Sequence, residues 1–145
     1  MLRNSGIHAL DRRACLRLLA GVPVGRVVYT EQVLPAVLPV SFRLDTDSCV
    51  LLRTSADAGL VRAVDGAVVA FEADEFDAAT RCGWSVVVTG RATVVTDSET
   101  PERPAASGPD PRAAVPVPES VLVRIASEMI TGRRLTGPSQ DRAVI

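Results

Sequence analysis

A chain of 145 residues, 47% hydrophobic and 23% charged, has the size and composition of one globular domain with its own core. Sixteen basic residues against 17 acidic ones leave a net charge of −1, which excludes the basic patch or stripe of a nucleic-acid module. No apolar run approaches the ~20 residues of a membrane helix, no signal-type leader opens the chain and no CxxC joins Cys15, Cys49 and Cys82. The expectation is therefore a cytoplasmic protein with reduced thiols, no membrane partner and no metal.

Residues 1–10, with the lone His8, read as a flexible leader. Asp11 is an N-cap type residue, Ala14, Cys15, Leu18 and Leu19 fall on one helical face, and Gly21 and Pro23 stop the run, predicting a helix over Asp11–Ala20. Val24–Thr30 and Ala36–Leu44 read as strands; Pro39 puts part of the second at an edge, at a bulge or beside something other than a strand. The cluster Asp45–Ser48 turns the chain into a third strand, Cys49–Thr54. A short helix is expected over Ala58–Val64, closed by Asp65-Gly66.

Ala67–Ala73 is a fourth strand, 74–83 a polar irregular connection, and Trp84–Thr96 a long fifth strand in which Gly90 marks a bulge or a close approach. The stretch 100–118 holds six prolines and reads as a loop. Val121–Ile125 is a sixth strand that Ile130–Leu135 continues after a break, and 137–145 is a loose tail. Consecutive strands on short turns imply antiparallel pairing, and six of them lose their edges by closing into a barrel. With only 3% aromatics, Val, Leu and Ala must fill that barrel. All sixteen basic residues are Arg, so an anion site must use guanidinium or backbone N–H groups.

Several stretches together resemble the pyridoxamine 5′-phosphate oxidase-like flavin-binding proteins of the actinobacterial type. They are Cys15-Leu-Arg-Leu-Leu-Ala-Gly-Val-Pro-Val-Gly-Arg-Val, Ala36-Val-Leu-Pro-Val-Ser-Phe, Leu52-Arg-Thr-Ser, Val69-Ala-Phe-Glu-Ala-Asp and Gly83-Trp-Ser-Val-Val-Val-Thr-Gly-Arg-Ala. The resemblance implies a mainly β fold, a six-stranded antiparallel split β-barrel over residues 11–136 with a leading helix and one short helix. It implies a homodimer with two cofactor sites at the interface. FMN is the usual ligand, F420 the alternative; haem is disfavoured because His8 stands alone.

By the same resemblance, Arg53 and Thr54 face the cofactor phosphate and ribityl chain, and the backbone of Pro39, Val40 and Ser41 runs beside the pyrimidine edge. The short helix, with Gly59, Leu60 and Arg62, turns its start toward the phosphate, and Trp84 and Ser85 come from the second subunit. Relatives carry a basic residue near the start of that helix, where this chain has Ala58-Gly59-Leu60. The expectation is weakened FMN binding, with Arg53 and Arg62 as the remaining cations. The implied function is a flavin-dependent oxidoreductase for an unknown small molecule; the alternatives are a flavin or F420 carrier or sensor, or a dimer with a degenerate site. A true pyridoxamine-phosphate oxidase is not expected, since beyond Leu135 the chain offers only Asp141 and Arg142 for a substrate phosphate. No catalytic acid, base or nucleophile stands out, and the acidic run Glu72, Asp74, Glu75 and Asp77 reads as a solvated strand end.

Overall fold

The computed structural model describes residues 6–56, 59–95 and 120–137. In chain order the elements are β1 (Ile7–Leu10), α1 (Arg12–Ala20), β2 (Val24–Glu31), β3 (Leu34–Leu44), β4 (Val50–Ser55), α2 (Gly59–Val64), β5 (Val68–Phe76), β6 (Gly83–Val95), β7 (Ser120–Ile125) and β8 (Met129–Leu135). The helix start is set locally. The Asp11 carboxylate accepts the Ala14 N–H at 2.8 Å, satisfying one of the donors that a first turn leaves open. Gly21 closes the helix by donating to the Leu18 carbonyl at 3.1 Å. One face of α1 buries Cys15 and Leu19 against the sheet.

The sheet runs β1-β8-β6-β5-β2-β3-β4-β7, and β7 pairs again with β6. That return closes β6-β5-β2-β3-β4-β7 into the expected six-stranded antiparallel barrel, while β8 and β1 extend from β6 outside the ring. Alternation decides which side chains fill it. Val69, Phe71 and Ala73 of β5 and Trp84, Val86, Val88 and Ala92 of β6 point inward and are buried. With few aromatics available, Phe42 and Phe71 meet at the centre, their ring centroids 4.6 Å apart and tilted by 59°, a geometry that suits the ring quadrupoles. Gly25 leaves room for this pair, since a Cβ there would strike the Phe71 ring.

Closure takes place along one edge of β6. β8 pairs with Gly83–Thr89 of that strand and β7 with Ala92–Val95. Between them Gly90 is buried against the Ala126 carbonyl, and the Ala126 N–H donates to the Arg91 carbonyl at 3.0 Å. The glycine noted in the sequence is thus a close approach of two backbones. At the other end of the barrel, the β2–β3 hairpin turns on Gln32 and Val33, both at positive φ (51° and 62°). Val33 is β-branched and 89% exposed, so it accepts a strained conformation with no packing in return.

Three expectations change. Residues 7–10 are a strand rather than part of a leader; four residues of mixed character show no period, and their partner, Gly132–Leu135, is more than 120 positions away. Ile130–Leu135 does not continue the sixth strand but forms β8, with different neighbours, because the break at 126–128 steps the chain past Gly90. Asp74–Phe76 remain in β5, paired with Gly83–Ser85. The Pro-rich stretch 100–118 and the tail beyond Gly137 lie outside the described residues, as does Ala58 at the expected start of the short helix.

Replacing Gly90 by Ala should cost about 1–3 kcal/mol, because the obstacle is a backbone carbonyl and not a movable side chain. Urea unfolding followed by the fluorescence of Trp84, the sole tryptophan, measures this; an unchanged midpoint would show that closure tolerates a methyl group there.

Candidate functional site

The strands that close the barrel also open a cleft in its wall. β3 pairs with β2 along its whole length from Leu34 to Ser41, but with β4 only at Phe42–Leu44. One step beyond the Phe42–Leu52 pair, Ser41 and Arg53 would be next in register, yet the strands part there. β4 stays with β7 instead, through all of Val50–Ser55. The Phe42 N–H donates to Pro23 on the β2 side. In an antiparallel strand alternate residues turn their backbone groups to opposite edges, so Pro35, Val37, Pro39 and Ser41 face the cleft side. Both prolines therefore sit where a missing N–H costs no ladder bond, which accounts for their place in an eleven-residue strand. The edge beyond this pair offers the carbonyl of Pro39 and the N–H of Ser41.

On the opposite margin Arg53 is half-buried on the outer face of β4. Its guanidinium reaches along β7 to the Ser120 hydroxyl at 2.9 Å and the Ser120 carbonyl at 3.3 Å. Thr54 follows it, opposite Val121. α2 stands at the same end of the barrel. Leu60 and Val64 are its buried residues and belong to the core, so Leu60 can present only its backbone to a ligand; Arg62 is exposed. Gly59 lies against the Glu31 carboxylate, so closely that a Cβ would collide with it. The same carboxylate acts on Tyr29, whose hydroxyl is pushed up in pKa by burial first and by Glu31 second. Glu31 was not singled out from the sequence. It reads there, with Gln32, as a polar connection after the strand Val24–Thr30, whereas β2 runs on to Glu31 and the hairpin turn brings it to Gly59.

Trp84 and Ser85 sit elsewhere. Trp84 is 5% exposed and packs in the barrel core, opposite Glu75 on one side and Arg134 on the other. Val95, at the far end of the same strand, is the residue next to Leu122, which in turn pairs with Arg53. Roughly 35 Å of strand separates Trp84 from that end, at about 3.3 Å per residue. Within one chain, then, register sets Pro39–Ser41 beside Arg53–Thr54 at the end of the β3–β4 ladder, Gly59 stands by Glu31 at the hairpin end of β2, and Ser85 lies three strands round the wall from Ser41.

A second feature lies on the outward face of β3-β2-β5-β6-β8. The side chains there include Val24, Val28, Val37, Val68, Val87 and Met129; Val24, Val37, Val68 and Met129 are 48–60% exposed. Among them Arg26 sits between two carboxylates, 3.0 Å from Glu72 and 3.7 Å from Asp74. The acidic run is therefore not a simple solvated end, since alternation turns Glu72 and Asp74 onto the sheet beside a cation. Burial first, then the hydrogen bond and charge of Asp74, push Glu72 up to about 7, against the opposing pull of Arg26. His8, on β1 opposite Arg134, is exposed and has no part in either feature. No helix among the described residues is long and apolar enough to cross a membrane.

A closed six-stranded antiparallel barrel with short ladders in its wall and a small helix beside it defines the class of split-barrel proteins. The profile of the pyridoxamine 5′-phosphate oxidase family matches residues 11–134, and the chain belongs to that family. An uncharacterized protein of Mycobacterium tuberculosis is 41% identical over 142 residues, covering 90% of this chain and 87% of its own. Among solved structures, the FAD binding protein from Mycobacterium smegmatis is 31% identical and covers 89% of this chain and 98% of its own, with a TM-score of 0.67. A conserved protein of unknown function from Corynebacterium diphtheriae is 28% identical, with coverage of 90% and 98% and a TM-score of 0.66.

The proton on Glu72 has a consequence for stability. The folded chain holds it up to about pH 7, whereas the unfolded chain releases it near the ordinary value of about 4.3. The folded state thus binds more protons between these values, so stability is greatest below the window, falls as pH rises through it and is level above. Glu72→Gln should flatten that fall by about 1–2 kcal/mol, after allowing for partial solvent screening. Urea midpoints at pH 5 and pH 7.5 check it; parallel pH profiles for the two proteins would contradict it.

Proposed function

We propose that the chain binds a flavin in the cleft between β3 and β4 and works as a flavin-dependent oxidoreductase on a small molecule. The observation that carries this reading is the parted seam itself: a strand edge with both donor and acceptor groups stands across from an arginine. The 31% identity to a structure described as an FAD binding protein supports it. In this reading the donor and acceptor edge of Pro39–Ser41 meets the pyrimidine edge of the ring. Arg53, with Thr54 and with Arg62 from α2, faces the phosphate. These residues fit the group in kind, since a guanidinium binds phosphate oxygens in a planar fork. A bound flavin supplies the electron or hydride chemistry, and the protein supplies position and electrostatics. FMN is the ligand proposed, with F420 as the alternative.

The site is completed by a second copy. Trp84 and Ser85 lie far along β6 from the Arg53 end and three strands round the wall from Ser41; in this reading a homodimer through the apolar outward face brings them to the partner's cleft. The charge pattern of that face suits self-pairing, because it carries Arg26 and Arg133 as well as Glu72 and Asp74.

A second reading has its own support. The Glu31 carboxylate against Gly59 puts a negative charge close to the proposed phosphate, and no acid or base lines the cleft edge. Both features favour weakened binding and a carrier or sensor without turnover. Oxidation of a reduced nicotinamide in the presence of a test acceptor separates the two readings, since the carrier gives no steady-state rate.

FMN titration, followed by quenching of flavin emission, tests the site. Arg53→Ala should raise the Kd about 10–100-fold, the worth of one or two charge-assisted hydrogen bonds, and Glu31→Gln should lower it. Wild-type affinity in the Arg53 variant would remove that residue from the site.

A further inference from the structure

The Arg26–Glu72–Asp74 cluster lies in the middle of the face through which the dimer is proposed to form, and it is not part of the cleft. Its composition is unbalanced: one cation serves two carboxylates. Glu72 is paired directly across from Arg26 on β2 and from Val87 on β6. Its side chain is 24% exposed and that of Asp74 29%, so both are already partly withdrawn from water in the single chain. The other outward groups near it are Pro39 of β3 beside Arg26, Ser85 of β6 beside Asp74, and Arg133 of β8 beyond Ser85. No other charged group on the adjoining strands β2 and β6 faces Glu72 at that level of the sheet.

Covering this face with a second copy removes the remaining water. With both carboxylates ionised, the cluster carries into an apolar contact one negative charge that Arg26 does not balance and that Arg133, two strands from Asp74, answers only at a distance, and burying such a charge is strongly unfavourable. With one proton held between Glu72 and Asp74 the cluster is neutral: Arg26 balances one carboxylate, and the protonated one donates to the other. Resting on the reading that this face is the dimer contact, we propose that the Arg26–Glu72–Asp74 cluster makes self-association proton-dependent, each protomer taking up one proton as the face closes. The elevated affinity of Glu72 for a proton in the single chain places the response near neutrality. Because two copies associate, up to two protons are taken up per dimer, and a small fall in pH has a large effect on the equilibrium.

Fluorescence-detected sedimentation of labelled chain over a dilution series at pH 6.0 and pH 8.5 measures the effect. The dimer Kd should be at least tenfold lower at pH 6.0. Glu72→Gln should associate with nearly the same Kd at both pH values. Asp74→Asn leaves Arg26 and an ionised Glu72 as a balanced pair, so it should also lose the dependence in this range; circular dichroism checks that both variants fold. A wild-type dimer with the same Kd at both pH values overturns the proton linkage and leaves the dimer reading standing. A chain that stays monomeric throughout overturns both. Glu72→Gln that keeps the full wild-type dependence also overturns the linkage.

Discussion

The long strand β6 changes partners at Gly90, and the rest of the architecture follows from that exchange. One edge of β6 takes β8 along its first half and β7 along its last four residues, and only a residue without a side chain lets the Ala126 carbonyl pass between them. Once β7 is seated there, it closes the ring by carrying β4 with it. β4 pairs with β7 along six residues and with β3 along three. The longer ladder decides where β4 runs, so β3 and β4 separate beyond Phe42 and Leu52. The cleft is thus a consequence of closure and not an added feature. Along it two prolines stand in a strand without breaking a ladder.

The barrel could be read from the sequence because its strands are long and follow a period of two, as in Val68–Phe76 and Gly83–Val95. α1 could be read because its cap, its apolar face and its stop signals agree. What escaped was non-local. Ile7–Leu10 is a strand only because β8 is there to receive it, and β8 is separate from β7 only because the chain must step past Gly90. Pro39 already pointed to an edge, but not to an edge facing a cleft. At the site, Arg53, Thr54, Gly59, Arg62 and Pro39–Ser41 were named through family resemblance, and register sets Pro39–Ser41 beside Arg53 and Thr54 across the β3–β4 seam. Glu31 gave no such signal, because its position depends on a hairpin tip, Gln32-Val33, whose positive φ angles the residue types do not suggest. The Arg26–Glu72–Asp74 contact was hidden for a similar reason: an acidic run in sequence looks solvated until alternation turns two of its members onto a neighbouring strand.

Two opposing electrostatic arrangements run through the molecule. On the outer wall of β4, Arg53 supplies a guanidinium whose charge suits an anion. At Gly59 a carboxylate stands close by, and on the outward face of β2 and β5 two carboxylates share one cation. The chain has no Lys, so each of these balances is struck with Arg, whose forked geometry fixes direction as well as charge. In the proposed site Arg53 sets the attraction for a phosphate and Glu31 limits it.

A crystal structure of the protein grown with FMN tests this picture most directly. The isoalloxazine ring should lie along the Pro39–Ser41 edge, with the phosphate at Arg53 and with Trp84 and Ser85 of the partner subunit against the same flavin. A flavin bound away from the β3–β4 seam, or one enclosed by a single chain, would contradict it.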